Sequence, residues 1–376
     1  MHPTLPAALL PLFAVPLWAQ TFVVDAAMGP GANFPDIATA VVAVPDGATI
    51  EVRAGSYGNF TIDHKSLVIS GLPGAQVMAQ ILDVKVRNLA ANQAVTLRNL
   101  AFGSWGAPGE LRCEVNSGRI LVQSCSLALV TPFTAPSITA LFTTNLHVVD
   151  TSLVGSTVWP LGLQFSRAFV SGCVLTPVSN FSIGGILLNS SWCDVADTPI
   201  TTLGIATMSS PITMTGAGST AIVRAGCRLQ TTSPNAQTLV EGNGALVLDP
   251  TVQLIGAQAF GSGVNVAMLA MPRVTAIPAV IGTPATATLT LPSGSVGGLW
   301  FGFAQPPFLA PVFATPLQLD ANIALSVRAG TATTQTAALP LPNLPGLRGL
   351  DFAWQGCSFH PVDGWQASNA VVFTAW

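Results

Sequence analysis

Charge is what this chain has least of. Lysine, arginine, aspartate and glutamate make up 8% of its 376 residues, against about 25% in an average globular domain. The 13 basic residues are scattered singly and the formal net charge is -3. No basic patch exists to neutralise phosphates, so nucleic acid is not an expected partner. No cluster of Lys or Arg marks a membrane-surface anchor either. The four histidines (His2, His64, His147 and His360) do not cluster, and no Cys-x-x-Cys occurs among the six cysteines, which argues against a zinc site. The acids are too sparse for a calcium cluster. No metal and no cofactor is expected.

Helical apolar runs are also missing. The longest uncharged stretch, between Arg273 and Asp320, contains seven prolines and alternates as Ala285-Thr286-Ala287-Thr288-Leu289-Thr290-Leu291. A transmembrane helix needs about 20 predominantly apolar residues and seldom carries so many prolines. Strands and turns are expected there, in a chain that does not span a membrane. Leu5 to Trp18 is an apolar run too short to cross a bilayer, and Leu17-Trp18-Ala19 ends in a small residue. Residues 1–19 therefore read as a signal peptide, with secretion or cell-surface display as the expected outcome. No Lys or Arg precedes the run, and a buried N-terminal strand is the alternative.

What is abundant is repetition. From about residue 95 an eight-residue pattern recurs: apolar, any, apolar, any, turn-prone, two more, apolar. It runs over 95–102, 120–127, 146–153, 168–175 and 193–200, and with one extra residue over 221–229 and 246–254. The starts lie 25, 26, 22, 25, 28 and 25 residues apart. Fixed self-similarity at this period signals a solenoid. Alternation within each copy makes each a strand, and strands recurring in one direction stack as parallel rungs. The Leu-x-x-Leu-x-Leu-x-x-Asn pattern of leucine-rich repeats is absent. The expected fold is all-β: a right-handed single-stranded parallel β-helix of about 8–9 coils over 20–272, followed by a small C-terminal β-sandwich over 273–376. Residues 34–44, with Ile37, Val41 and Val44 on one face, predict a helix that covers the open N-terminal end.

The N-terminal segment carries Phe34, Ile37 and Ala40, then Gly47, Ile50 and Val52, then Gly55 and Tyr57, then Leu67, Ile69 and Gly71. This order resembles the start of pectin-lyase-like β-helix proteins. The resemblance covers about 20–270 and implies the fold. Activity is not implied, since that superfamily includes pectate lyases, polygalacturonases, pectin methylesterases and many proteins without known catalysis. The clustered aspartates, His-Gly and Arg-x-Lys of polygalacturonase-like members are absent, and no counterpart of the methylesterase motifs occurs. The stretch Pro340–Gly349, with Phe352–Gln355 and Ser368–Ala370, is similar to C-terminal modules of large secreted bacterial proteins.

Two columns of stacked positions remain as candidate sites. The fifth position holds Asn99, Ser124, Asp150, Gly172 and Asp197. Its plain reading is a turn column, because these residues tolerate left-handed backbone and cap free backbone groups. Its sharper reading pairs Asp150 with Asp197, two rungs and so roughly 9.6 Å apart, near the upper limit for inverting glycosidases. The second, outward position holds Thr96, Leu121, His147, Phe169 and Asp194, with Trp192 close by. Rings, an imidazole and a carboxylate in one column suit a polysaccharide: Phe169, Trp192, His147 and Asp194 are the candidate ligand-binding residues. Asp150, Asp194, Asp197 and His147 are the candidate catalytic set. The alternative is that this face is covered and the column is packing. Arg224 and Asp249 are expected to pair across adjacent coils, and the cysteines to be buried thiols. The functional expectation is a non-catalytic protein that binds polysaccharide or a cell-surface component. A polysaccharide lyase or glycoside hydrolase, and a structural envelope or matrix element, are the alternatives.

Overall fold

The computed structural model describes residues 20–72, 84–103, 110–128, 137–155, 159–177, 184–202, 210–232, 238–256, 258–277, 280–308, 313, 315–319, 324–344, 347 and 349–375. The expected signal peptide lies outside them.

The eight-residue repeat becomes two consecutive strands and the turn between them. Its first positions stack as one ladder, Val95, Ile120, Leu146, Ala168, Cys193, Ala221 and Leu246, each paired in parallel with the next. Its last positions stack as a second ladder, Phe102, Leu127, Leu153, Leu175, Ile200, Leu229 and Leu254. A third strand closes each coil. Among the described residues the three parallel sheets hold 11, 7 and 9 strands, in the order met along a coil. Among the described residues seven coils thus contribute to all three sheets, against the 8–9 expected from spacing, and the first sheet runs on through the earlier rungs Thr21–Val24, Ala48–Val52 and Leu67–Gly71. Alternate residues of every sheet point inward and form one continuous apolar core from Val24 to Val252.

Two columns of left-handed backbone turn the coil. Between the first and second sheets stand Asn99, Ser124, Asp150, Gly172 and Asp197, with φ from 48° to 65°. Between the third and first sheets stand His64, Asn88, Val115, Phe142, Phe165 and Ser190, with φ from 48° to 58°. The turn amides are not orphaned: Asp150 N donates to Ser171 O, and Phe165 N to Asn189 O, both at 2.9 Å on the following coil.

The end helix is shorter than its predicted span. Helix α1 covers Ile37–Ala43, with Asp36 as its N-cap accepting from Thr39 N. Phe34 is instead extended and bridges Val24, since a residue before proline is pushed out of the helical region. Ile37, Ala40, Val41 and Val44 are buried as the face pattern predicts.

After Arg273 the pairing changes to antiparallel. Strands Arg273–Ile277, Pro284–Thr290 and Thr334–Pro340 form one sheet; Val296–Phe308, Leu317–Leu319, Leu325–Gly330, Asp351–His360 and Gly364–Thr374 form the other. Val274, Ala287 and Leu289 from the first face Phe301, Trp354 and Phe373 from the second across a common core, a sandwich. The strand Gly364–Thr374 is apolar on both sides. Val371 and Phe373 enter the sandwich core, while Ala370 and Val372 pack on Leu121 and Val149 of the solenoid. It lies across the rungs of the first sheet. Its Ala367 O accepts from Arg224, and Thr374 Oγ1 meets Thr96 Oγ1 at 3.0 Å, five rungs away. Seven residues of strand span about 24 Å, as do five rung steps at ~4.8 Å.

Candidate functional site

The outward column lies beneath that crossing strand. Thr96, Leu121, His147, Phe169 and Asp194 are all buried. His147 stacks on Phe169 at 4.9 Å, Phe169 tilts against Trp192 at 5.1 Å, and the Arg167 guanidinium sits over the Trp192 ring at 5.5 Å. His147 Nε2 contacts Asn145 Oδ1 at 2.8 Å. Burial, and to a lesser degree the Arg119 charge, push its imidazole down to about 3, so it stays neutral and has no exposed proton acceptor. Of this column only Trp192 keeps partial exposure.

Asp194 is held by Arg224, not left free for a ligand. Arg224 Nε donates to Asp194 Oδ1 at 2.7 Å and Nη2 to Oδ2 at 2.8 Å; Nη1 donates to Ala367 O at 3.1 Å. The expected Arg224–Asp249 pair does not form. Asp249 accepts from Thr251 N, Thr251 Oγ1 and Met271 N, closing its own turn. The two share a register on adjacent coils, but Arg224 reaches back to Asp194 on the preceding coil while the Asp249 carboxylate is taken up by its own turn.

Asp150 and Asp197 sit in the turn column. Each carboxylate reaches along the solenoid over a glycine of the next coil. A Cβ on Gly172 would stand 2.4 Å from Asp150 Oδ1, and one on Gly226 would likewise strike Asp197 Oδ1. Asp197 also accepts from Arg273 Nε at 2.9 Å. Burial raises both carboxyls. The Asp197 charge raises Asp150 further, and Arg273 offsets part of the rise at Asp197. The four candidate catalytic residues therefore fall into two places: His147 and Asp194 under the sandwich, Asp150 and Asp197 in a turn.

A cleft of about 630 Å³ lies between the solenoid and two sandwich turns, lined by Asp249, Arg273, Ser293, His360 and Asp363 among others. Its charged groups are already engaged, with His360 Nδ1 3.0 Å from Asp363 Oδ2. A mostly apolar pocket of about 300 Å³ in the sandwich is lined by Trp300, Phe313, Leu317 and Trp365. The six cysteines are buried and unbridged. Burial pushes Cys125, Cys173, Cys227 and Cys357 up to about 12. Among the described residues no three His, Cys, Asp or Glu gather as metal ligands, and no helix is long and apolar enough to cross a membrane.

The second left-handed column carries an apolar surface. In the second left-handed column, three consecutive coils present Val115, Phe142 and Phe165, all exposed. The rings of Phe142 and Phe165 are parallel within 6°, with centroids 5.1 Å apart. Below them the column uses Asn88 and above them Ser190, types suited to left-handed backbone. Exposed Gln164 and half-buried Glu114 and Asn189 immediately precede the column on their coils. The signal was present in the 23-to-27-residue spacing of His64, Asn88, Val115, Phe142, Phe165 and Ser190. It is masked because Val and Phe at a turn read as strand. Comparison of the chain with protein-family models, characterised proteins and solved structures returns no match.

Proposed function

We propose that the protein is an exported, non-catalytic β-helix of the pectin-lyase-like kind that binds a polysaccharide or glycan-bearing cell-surface partner, with Val115, Phe142 and Phe165 as the contact ladder. The observation that carries this reading is strain on an exposed apolar surface. A left-handed conformation costs an L-residue roughly 1–2 kcal/mol, and the β-branched Val115 at φ 56° is a genuine outlier there. Asparagine or glycine would relieve that cost at all three positions. Strained backbone of this type persists where a site uses it.

The chemistry fits a sugar. The exposed edges of the stacked rings offer apolar contact to the C–H groups of a pyranose, while the flanking carboxamides of Gln164 and Asn189 can orient hydroxyls. Phe169, Trp192, His147 and Asp194 contribute to the covered face instead. The enzymatic alternative has less support, because it needs Asp150, Asp194, Asp197 and His147 to converge on an open groove.

The test couples affinity to stability. Phe142→Asn and Phe165→Asn are titrated against a panel of acidic and neutral polysaccharides, with retention and newly formed chain ends both measured. The expected result is retention by the parent chain without cleavage, loss of retention in both variants, and a rise of about 1 kcal/mol in their stability. Undiminished retention in the variants, or cleavage by the parent, would defeat the reading.

A further inference from the structure

The two ends of the solenoid are finished differently. At the N-terminal end α1 packs on strands Thr21–Val24 and Thr61–Asp63. At the other end, strands Gln253–Ile255, Gln258–Phe260 and Val264–Met268 are the last of their three sheets among the described residues. Their inward side chains continue the core columns: Leu254 over Leu229, Phe260 over Val240, Val266 over Leu246, Met268 over Leu248. One coil back these positions are 0–1% exposed, whereas Leu254 is 38% and Met268 58% exposed. Phe260, Val264 and Val266 are only partly buried. The sandwich lies along the first sheet, and among the described residues no strand pairs over this cross-section. Residues 251–271 contain no charge and no proline, so two of the devices that blunt a free strand edge are missing.

We propose that this end face is the interface with a second copy of the chain, stacked end to end about a two-fold axis perpendicular to the solenoid. An uncharged face does not repel its own copy. The two-fold operation reverses strand direction, so the free edges meet as antiparallel ladders. Val264–Met268 pairs with its own counterpart, and Gln253–Ile255 pairs with the counterpart of Gln258–Phe260. The coil that is missing over Leu254, Phe260, Val266 and Met268 is then supplied by the same residues of the partner. Because α1 closes the opposite end, association stops at two and does not propagate into a fibre.

Sedimentation of the full chain from nanomolar to micromolar concentration tests this. The expected result is a monomer–dimer equilibrium. Leu254→Lys and Met268→Lys each place like charges across the interface and should raise the dissociation constant roughly a hundredfold or more. Both positions are already open to solvent, so the melting temperature of the monomer should hold. Hydrogen exchange should show amides of 264–268 gaining protection with dimer formation. A monomer at every concentration would overturn the proposal, as would a dimer insensitive to both lysines or open-ended polymers. Phe142→Asn should leave the dimer intact, which separates this interface from the glycan surface.

Discussion

Replacing Arg224 by methionine asks whether the face carrying Asp194 is a structural seam or an open site. The guanidinium is fully buried, holds both oxygens of a nearly buried carboxylate, and donates its remaining hydrogen bond to Ala367 O. Arg224→Met leaves the Asp194 carboxyl dehydrated and unpaired, and leaves a carbonyl of the crossing strand without its donor. Removing one partner of a buried pair costs about 3–5 kcal/mol, whereas replacing both by apolar groups is often neutral. Urea unfolding should therefore show a loss in that range for Arg224→Met, and recovery of most of it in Arg224→Met/Asp194→Leu. Urea is chosen because it adds no ionic strength. If Arg224→Met loses less than about 1 kcal/mol, the value of an exposed pair, the seam does not exist in solution and Asp194 regains its candidacy as a ligand.

Three further outcomes follow from named contacts. Gly172→Ala should destabilise by at least about 1–2 kcal/mol for its left-handed φ of 65°, and part of the loss should return in Asp150→Ala/Gly172→Ala, which removes the oxygen that a Cβ would strike. All six thiols should resist alkylation at neutral pH in the folded chain and react when it is unfolded in urea, since each is buried and shifted upward. For His147 the folded value is depressed to about 3 against 6.5 for the free side chain. The unfolded chain then binds the extra proton, so the stability this residue contributes is intact above 6.5 and is lost as pH falls towards 3. Unfolding measured against pH should show a shallower acid loss in His147→Asn than in the parent; an identical slope would refute the buried, neutral assignment.

Much of the solenoid was legible because its physics is local and periodic. The ladder Val95, Ile120, Leu146, Ala168, Cys193 is both the repeat in the sequence and the register in the sheet. A one-residue slip would turn every inward side chain out. The turn column of Asn99, Ser124, Asp150 and Asp197 was legible for a similar reason, since few residue types accept left-handed backbone. The sandwich strands were less so: Arg273–Ile277 and Thr334–Pro340 carry no clear alternation of their own and are defined by pairing with Pro284–Thr290.

The second-position column shows where sequence reading stops. Alternation dictates that His147, Phe169 and Asp194 leave the solenoid core, and they do. What lies on the far side of a sheet is decided by a segment some 200 residues later in the chain, and no pattern near residue 147 announces it. The apolar run Ala370–Phe373 is that partner, and only its packing on Leu121 and Val149 turns an apparent ligand surface into an interior. The same holds for Val115, Phe142 and Phe165. Their spacing is written in the sequence, but their exposure and strain arise only when successive coils are stacked. Repeat, strand period and turn chemistry are local properties and so were set by the sequence alone; which faces remain open is a property of long-range packing, and tertiary structure decided it.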